Sequence, residues 1–343
     1  MTMSFPPLPS VTLRQLQYVI AVADRGGFRL AADACGVAQP SLSAQVALAE
    51  RQLGVQIFER GQRQVRLSAA GGRIVEQARR VLVATADLAD TARRLADPFK
   101  GTLRLGVIPT VGPYLLPEIT PALANAYPDL QLLWTEGRTH ELVQRLKDGT
   151  VDGLVLALEP ALRDLDHVVL GQDAFVLAGR STHPLVNTNG RAATSSLNSA
   201  HVLLLDDGHC LRDQALKVCK RSGALESSFR ATSLGTLVQM VSASDSVTLL
   251  PSLAVAVENR RGQLKIRRFT APEPGRTLIM AWRRGAPVST PLKALAETIR
   301  ATMTHAKRTE STTDTAEHGR KETAARRTER ARRSSARGTT LVQ

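Results

Sequence analysis

Residues 28–54 read FRLAADACGVAQPSLSAQVALAERQLG, and this stretch decides the N-terminal fold. A short helix fits residues 29–34. Gly36 stops it, because glycine enters the left-handed conformation that ends helices. Pro40 suits the first turn of the next helix, where a backbone N–H has no partner in any case. Leu42, Val46, Ala49 and Leu53 follow at helical spacing, and Gly54 closes the run. Upstream, residues 13–23 place Leu13, Leu16, Val19, Ile20 and Ala23 on one face. Three short helices with a glycine turn between the second and third make a helix-turn-helix. Residues 56–58 and 64–67 then read as short strands around the basic turn Arg60-Gly61-Gln62-Arg63, a candidate wing.

Such a motif sets its second helix in the major groove, with the helix start at base edges. Gln39, Pro40, Ser41, Ser43 and Gln45 stand at that end here. Glutamine pairs with adenine, and serine with several base edges. Arg51, and Arg60, Arg63 and Arg66 on the wing, suit phosphates or the minor groove.

Beyond the wing, residues 71–97 read as one long helix ended by Pro98. Ile74, Ala78, Val81, Thr85, Leu88, Ala92 and Leu95 alternate at four and three, a heptad seam suited to dimerisation. From Gly101 the pattern changes. Strands at 102–108, 130–136, 153–157, 168–178, 200–205, 247–250 and 277–282 alternate with helices at 115–127, 139–147, 212–221, 233–243 and 292–303. That alternation implies a parallel sheet.

Composition sets the outer bounds. At 343 residues the chain suits two or three domains. It is 43% hydrophobic with no long apolar run, so no membrane span is expected. Residues 1–12 lack a signal-peptide pattern, and a cytoplasmic location is expected. Net charge is +14, of which the tail at 307–343 carries +5 and the body +9. A basic body favours polyanionic partners. The tail has almost no large apolar residue and is expected to be disordered. Cys35, Cys210 and Cys219 are too few for a disulfide framework. No cluster suggests a metal, and no cofactor is read from the sequence. Cys35 is read as packing, and His140, His167 and His183 as ordinary loop or surface residues.

Residues 13–71 resemble the winged helix-turn-helix of LysR-type transcriptional regulators. The carriers are Phe28 to Ala32, Gln39-Pro40-Ser41-Leu42-Ser43, Leu53-Gly54-Val55, Phe58-Glu59-Arg60 and Leu67-Ser68-Ala69-Ala70-Gly71. Ala47 and Leu48 depart from the family, which often has basic residues midway along this helix. Asp207 to Ala215 (DGHCLRDQA) with Cys219, Ile108 to Pro117, Thr139-His140 and Phe229 to Leu234 are similar to a peroxide-sensing branch of the same family. Ser244-Asp245-Ser246 replaces the glycines usual in that branch.

The resemblance implies an α/β fold behind an all-α winged helix-turn-helix, with two Rossmann-like subdomains of the type 2 periplasmic-binding-protein kind. The expected divisions are 11–71 for DNA binding, 72–97 for the linker helix and 98–306 for the regulatory part, followed by the tail. Within the regulatory part, subdomain I is 98–171 with 277–306, and subdomain II is 172–276. The resemblance also implies promoter DNA and RNA polymerase as partners, a homo-oligomer that is a dimer of dimers, and hydrogen peroxide as signal. Antioxidant genes would be the targets. Cys210 takes the peroxidatic role and Cys219 the resolving one. Thr110, Thr139, His209, Asp213 and Arg283 take the peroxide pocket.

Chemistry stands beside the resemblance. A free thiol is only about 3% thiolate at neutral pH. His209, Arg212 and the start of a helix flank Cys210 and are expected to favour its thiolate. Nine residues of helix span about 13.5 Å, whereas a disulfide needs Cα atoms within about 7 Å. Joining Cys210 to Cys219 therefore requires that segment to unwind. Two rivals remain: a regulator binding a small metabolite between the subdomains, and a thiol peroxidase, which leaves the DNA reader unexplained.

Overall fold

The computed structural model describes residues 10–59 and 65–304. Arg60, Arg63 and the basic tail lie outside the described residues. Helix α1 (Leu13–Arg25) starts at a reciprocal cap. The Thr12 hydroxyl accepts from the Gln15 N–H at 3.2 Å, and the Gln15 side chain accepts from the Thr12 N–H at 2.9 Å. Because Gln15 is itself buried, the inward stripe is Gln15, Tyr18, Val19 and Val22, and Leu13 is exposed rather than inward. α2 (Phe28–Cys35) ends at Gly36, whose φ of 65° any side chain would strain. α3 (Gln39–Leu53) buries Leu42, Val46 and Ala49 in the same small core.

The wing is anchored from α3. One Glu50 oxygen accepts from the N–H groups of Ile57 and Phe58, at 2.7 and 3.0 Å. Phe58 bridges antiparallel to Leu67. The Ser68 hydroxyl donates to the Gln56 carbonyl and accepts from the Gly71 N–H, so it ties the wing to the next helix. That helix, α4 (Gly71–Ala96), packs Ile74 against the helix-turn-helix core and buries Ala78, but leaves the later part of its apolar seam open: Leu88 is 71% and Leu95 83% exposed.

The remainder is an α/β unit. Its elements are β1 (Gly101–Val107), α5 (Gly112–Ala126), β2 (Leu130–Glu136), α6 (Thr139–Lys147), β3 (Gly153–Ala157), β4 (Leu165–Arg180), β5 (His201–Leu205), α7 (Cys210–Ser222), β6 (Leu225–Ala231), α8 (Leu234–Ser242), β7 (Val247–Pro251), α9 (Ser252–Glu258), β8 (Leu264–Arg268), β9 (Gly275–Arg283) and a closing helix α10 over residues 289–304. Strand order is β2-β1-β3-β9-β4-β7-β5-β6, with β8 on β4. The expected parallel sheet is corrected here to a mixed one. β1 pairs parallel with β2 and β3, and β5 with β6 and β7. β9 and β4 are antiparallel to their neighbours. These two strands do not return through a helix. Each half has its own apolar core; β4 contributes to both, and the apolar residues of β9 lie in the first.

Candidate functional site

Cys210 is the first residue of α7, with His209 as its N-cap. Its side chain packs into the core of the first half, whereas Cys219, on the same helix, packs into the core of the second. Both are free thiols. Cys210 is only 7% exposed. Burial pushes its thiol above the ordinary range, and the nearby Glu159 charge pushes the same way. Arg276, the Thr139 hydroxyl and the Leu211 N–H pull against them. Burial also raises Cys219, to about 11.

Arg276 is the cation at this site. It projects from β9 and is buried, with each guanidinium nitrogen donating one hydrogen bond. Nε donates to Asp173 on β4 at 3.0 Å, Nη1 to the Thr110 hydroxyl at 2.7 Å, and Nη2 to the Thr110 carbonyl at 2.8 Å. Asp173 also accepts from the Ser252 hydroxyl and the Leu253 N–H, which fixes the arginine further. Thr139 opens α6, and its hydroxyl is buried without a hydrogen-bond partner. Buried polar atoms of this kind are rare in proteins.

Several expectations are corrected. Arg283 is not beside Cys210. It sits at the far end of β9, where it donates to Asp87 on α4 at 2.6 Å and to the Leu146 carbonyl at 3.0 Å. Arg212 turns away from Cys210, to Asp207, Glu226 and the Leu205 carbonyl. His209 lies 3.0 Å from Asp206, unaligned for a hydrogen bond, and burial lowers its basicity. Neither residue supplies the positive charge expected of it, and burial reverses the expected favouring of the thiolate. Thr110 is bonded by Arg276, and both Arg276 and Thr139 act on Cys210. Asp213 lies exposed on α7, three residues after Cys210.

The sequence reading missed Arg276, Asp173 and Glu159. The signal available was a charge inside each of two apolar strands, QDAFVLAG and GRTLIMAW. Buried charges are paired, so those two invited pairing with each other.

At the helix-turn-helix, Gln39, Pro40, Ser41 and Arg51 are exposed, and Ser43 is half-buried. Gln45 differs from expectation. Its carbonyl accepts from the Gln15 side chain at 3.0 Å, so it is held against α1. Arg66 is exposed at the wing.

Two family descriptions match the chain. Residues 13–72 match the bacterial regulatory helix-turn-helix protein of the lysR family, and residues 96–304 the LysR substrate binding domain. The hydrogen peroxide-inducible genes activator of Dickeya chrysanthemi is 42% identical over 291 residues, covering 84% of this chain and 95% of that one. Full-length OxyR of Pseudomonas aeruginosa, a cysteine-to-aspartate variant, superposes with a TM-score of 0.67 at 34% identity, over 84% of this chain and 98% of that one. A hydrogen-peroxide-bound cysteine-to-serine mutant of Corynebacterium glutamicum OxyR gives 0.60 at 30% identity, over 90% and 99%.

Proposed function

The chain belongs to the LysR family of bacterial helix-turn-helix regulators, and from that premise we propose that hydrogen peroxide is its signal and the oxidative-stress response its output. As a member of that family it is a DNA-binding transcription regulator and not an enzyme. The Cys210 thiolate attacks one peroxide oxygen, the O–O bond breaks, and hydroxide leaves as water once it gains a proton. Sulfur becomes a sulfenic acid. Cys219 then displaces that oxygen as water, and a Cys210–Cys219 disulfide remains.

Thr110, Thr139, His209 and Asp213 form the peroxide pocket of this reading, with Arg276 in place of Arg283. The observation that carries it is the position of the two thiols. They share one helix but belong to opposite cores. A bond between them cannot form without unwinding α7 and withdrawing a thiol from its core. Oxidation is thereby coupled to a change of shape.

Promoter DNA is the partner of the helix-turn-helix, and RNA polymerase the partner at the promoter. The exposed seam of α4 supports self-association. No helix among the described residues is long and apolar enough to cross a membrane. A promoter target implies work in the cytoplasm.

Peptide mass spectrometry tests the reading, after brief low-dose peroxide with free thiols trapped before and after. A Cys210–Cys219 linkage that forms within seconds and reverses with a thiol reductant is expected. Thiols that stay reduced at doses oxidising a generic thiol would overturn it.

A further inference from the structure

Oxidation of a thiol by peroxide moves one proton from sulfur to the oxygen that leaves, and the exit of β3 brings a carboxyl to Cys210. The chain leaves Ala157 through Leu158, Glu159 and a 3-10 turn at Pro160–Leu162. The Leu158 N–H donates to the Thr277 carbonyl at 2.8 Å, which fixes this exit beside Arg276 on β9. Pro160 confines the residue before it to extended backbone, and Glu159 has φ −136° and ψ 153°. Its carboxyl does not cap the turn that follows. It is half-buried and faces α7 instead, where Cys210, Asp213 and Lys217 all act on it. Those three residues form one stripe of the helix.

We propose that Glu159 is a catalytic acid–base residue of this site: it takes the proton of the Cys210 thiol and returns it to the oxygen that leaves peroxide. The S–H bond breaks toward a Glu159 oxygen. The sulfur electron pair forms the S–O bond as the O–O bond breaks. The departing hydroxide takes the proton from Glu159 and leaves as water. Thiol and peroxide become sulfenic acid and water, sulfur is oxidised by two electrons, and Glu159 ends as it began. The inference rests on the peroxide reading.

The surroundings suit that role. Burial and Asp213 hold the Glu159 carboxyl above the usual carboxylate range, while Lys217 and the Cys210 contact pull it down. From β9, Arg276 favours the thiolate that results, and the buried Thr139 hydroxyl lies at the same sulfur.

The test compares two rates at Cys210 in the full chain, wild type against Glu159→Gln. The Glu159 charge raises the Cys210 thiol, so the amide is expected to speed alkylation by iodoacetamide at neutral pH. Loss of the proton donor is expected to slow oxidation by hydrogen peroxide about a hundredfold. A residue with only a structural role would not send the two rates in opposite directions. If both rise together, or peroxide oxidation is unchanged, the inference falls while the peroxide reading stands. If peroxide leaves wild-type Cys210 untouched, the peroxide reading falls and takes the inference with it. Should the amide variant not fold, Glu159→Asp is read in its place. It keeps the acid one bond farther from sulfur and is expected to be about tenfold slower, and a wild-type rate there would also overturn the assignment.

Discussion

Arg276 and Asp173 form a pair with almost no access to water, joined across β9 and β4. Such a pair adds little stability as a whole, but removing one partner strands the other charge. Arg276→Met is therefore expected to cost about 3–5 kcal/mol in urea denaturation, and Asp173→Asn added to it should restore most of that. Peroxide reactivity at Cys210 should not return with the stability, because the double variant still lacks the cation. A double variant as unstable as the single one would contradict the pairing argument. The sequence could not select this arginine over Arg283. Both lie on one strand, and only the antiparallel register of β9 with β3 and β4 decides which end meets α7. Register across a sheet is a long-range property. The thiols, Thr110 and Thr139 were legible because each lies in a distinctive local string.

At the scale of the element, α7 is both the scaffold of the reduced site and the obstacle to the proposed Cys210–Cys219 disulfide. Weakening it between the cysteines should favour oxidation. Glycine costs a helix about 1 kcal/mol relative to alanine, and about 1.4 kcal/mol corresponds to 30 mV for a two-electron couple. Lys217 is exposed between the two thiols. Lys217→Gly should hold its disulfide about 20 mV more negative than Lys217→Ala in a glutathione titration. Both variants lose the same charge, so their difference isolates the helix. Equal potentials would mean that α7 does not unwind on oxidation. Helices with caps and glycine stops were legible from local chemistry: α2 and α3 end at Gly36 and Gly54 as the sequence implies. Strands β6 and β8 were not. β6 closes one edge of the sheet and is mostly exposed, and β8 pairs only with β4, so neither has a clear apolar alternation to read.

At the scale of the whole molecule, the exposed later part of the α4 seam predicts self-association. Leu88→Asp puts a charge into that seam without touching a core, so sedimentation should show a smaller species while the melting of the monomer fold is unchanged. An unaltered sedimentation coefficient would place the contact elsewhere. The alternation of strands and helices correctly implied an α/β unit but wrongly implied a parallel sheet, because a connecting strand and a returning strand have the same local pattern. One of those connectors has a last consequence. Arg283 stands seven positions after Arg276, about 23 Å along extended chain. One end of β9 thus bonds Thr110 and acts on Cys210 through the Arg276 charge, and the other touches α4, the helix that leads to the helix-turn-helix. Linkage between two such sites is reciprocal. Whatever oxidation does to the hold on a promoter, the promoter does in equal measure to oxidation, so bound and free copies in one cell answer to different thresholds of the same oxidant.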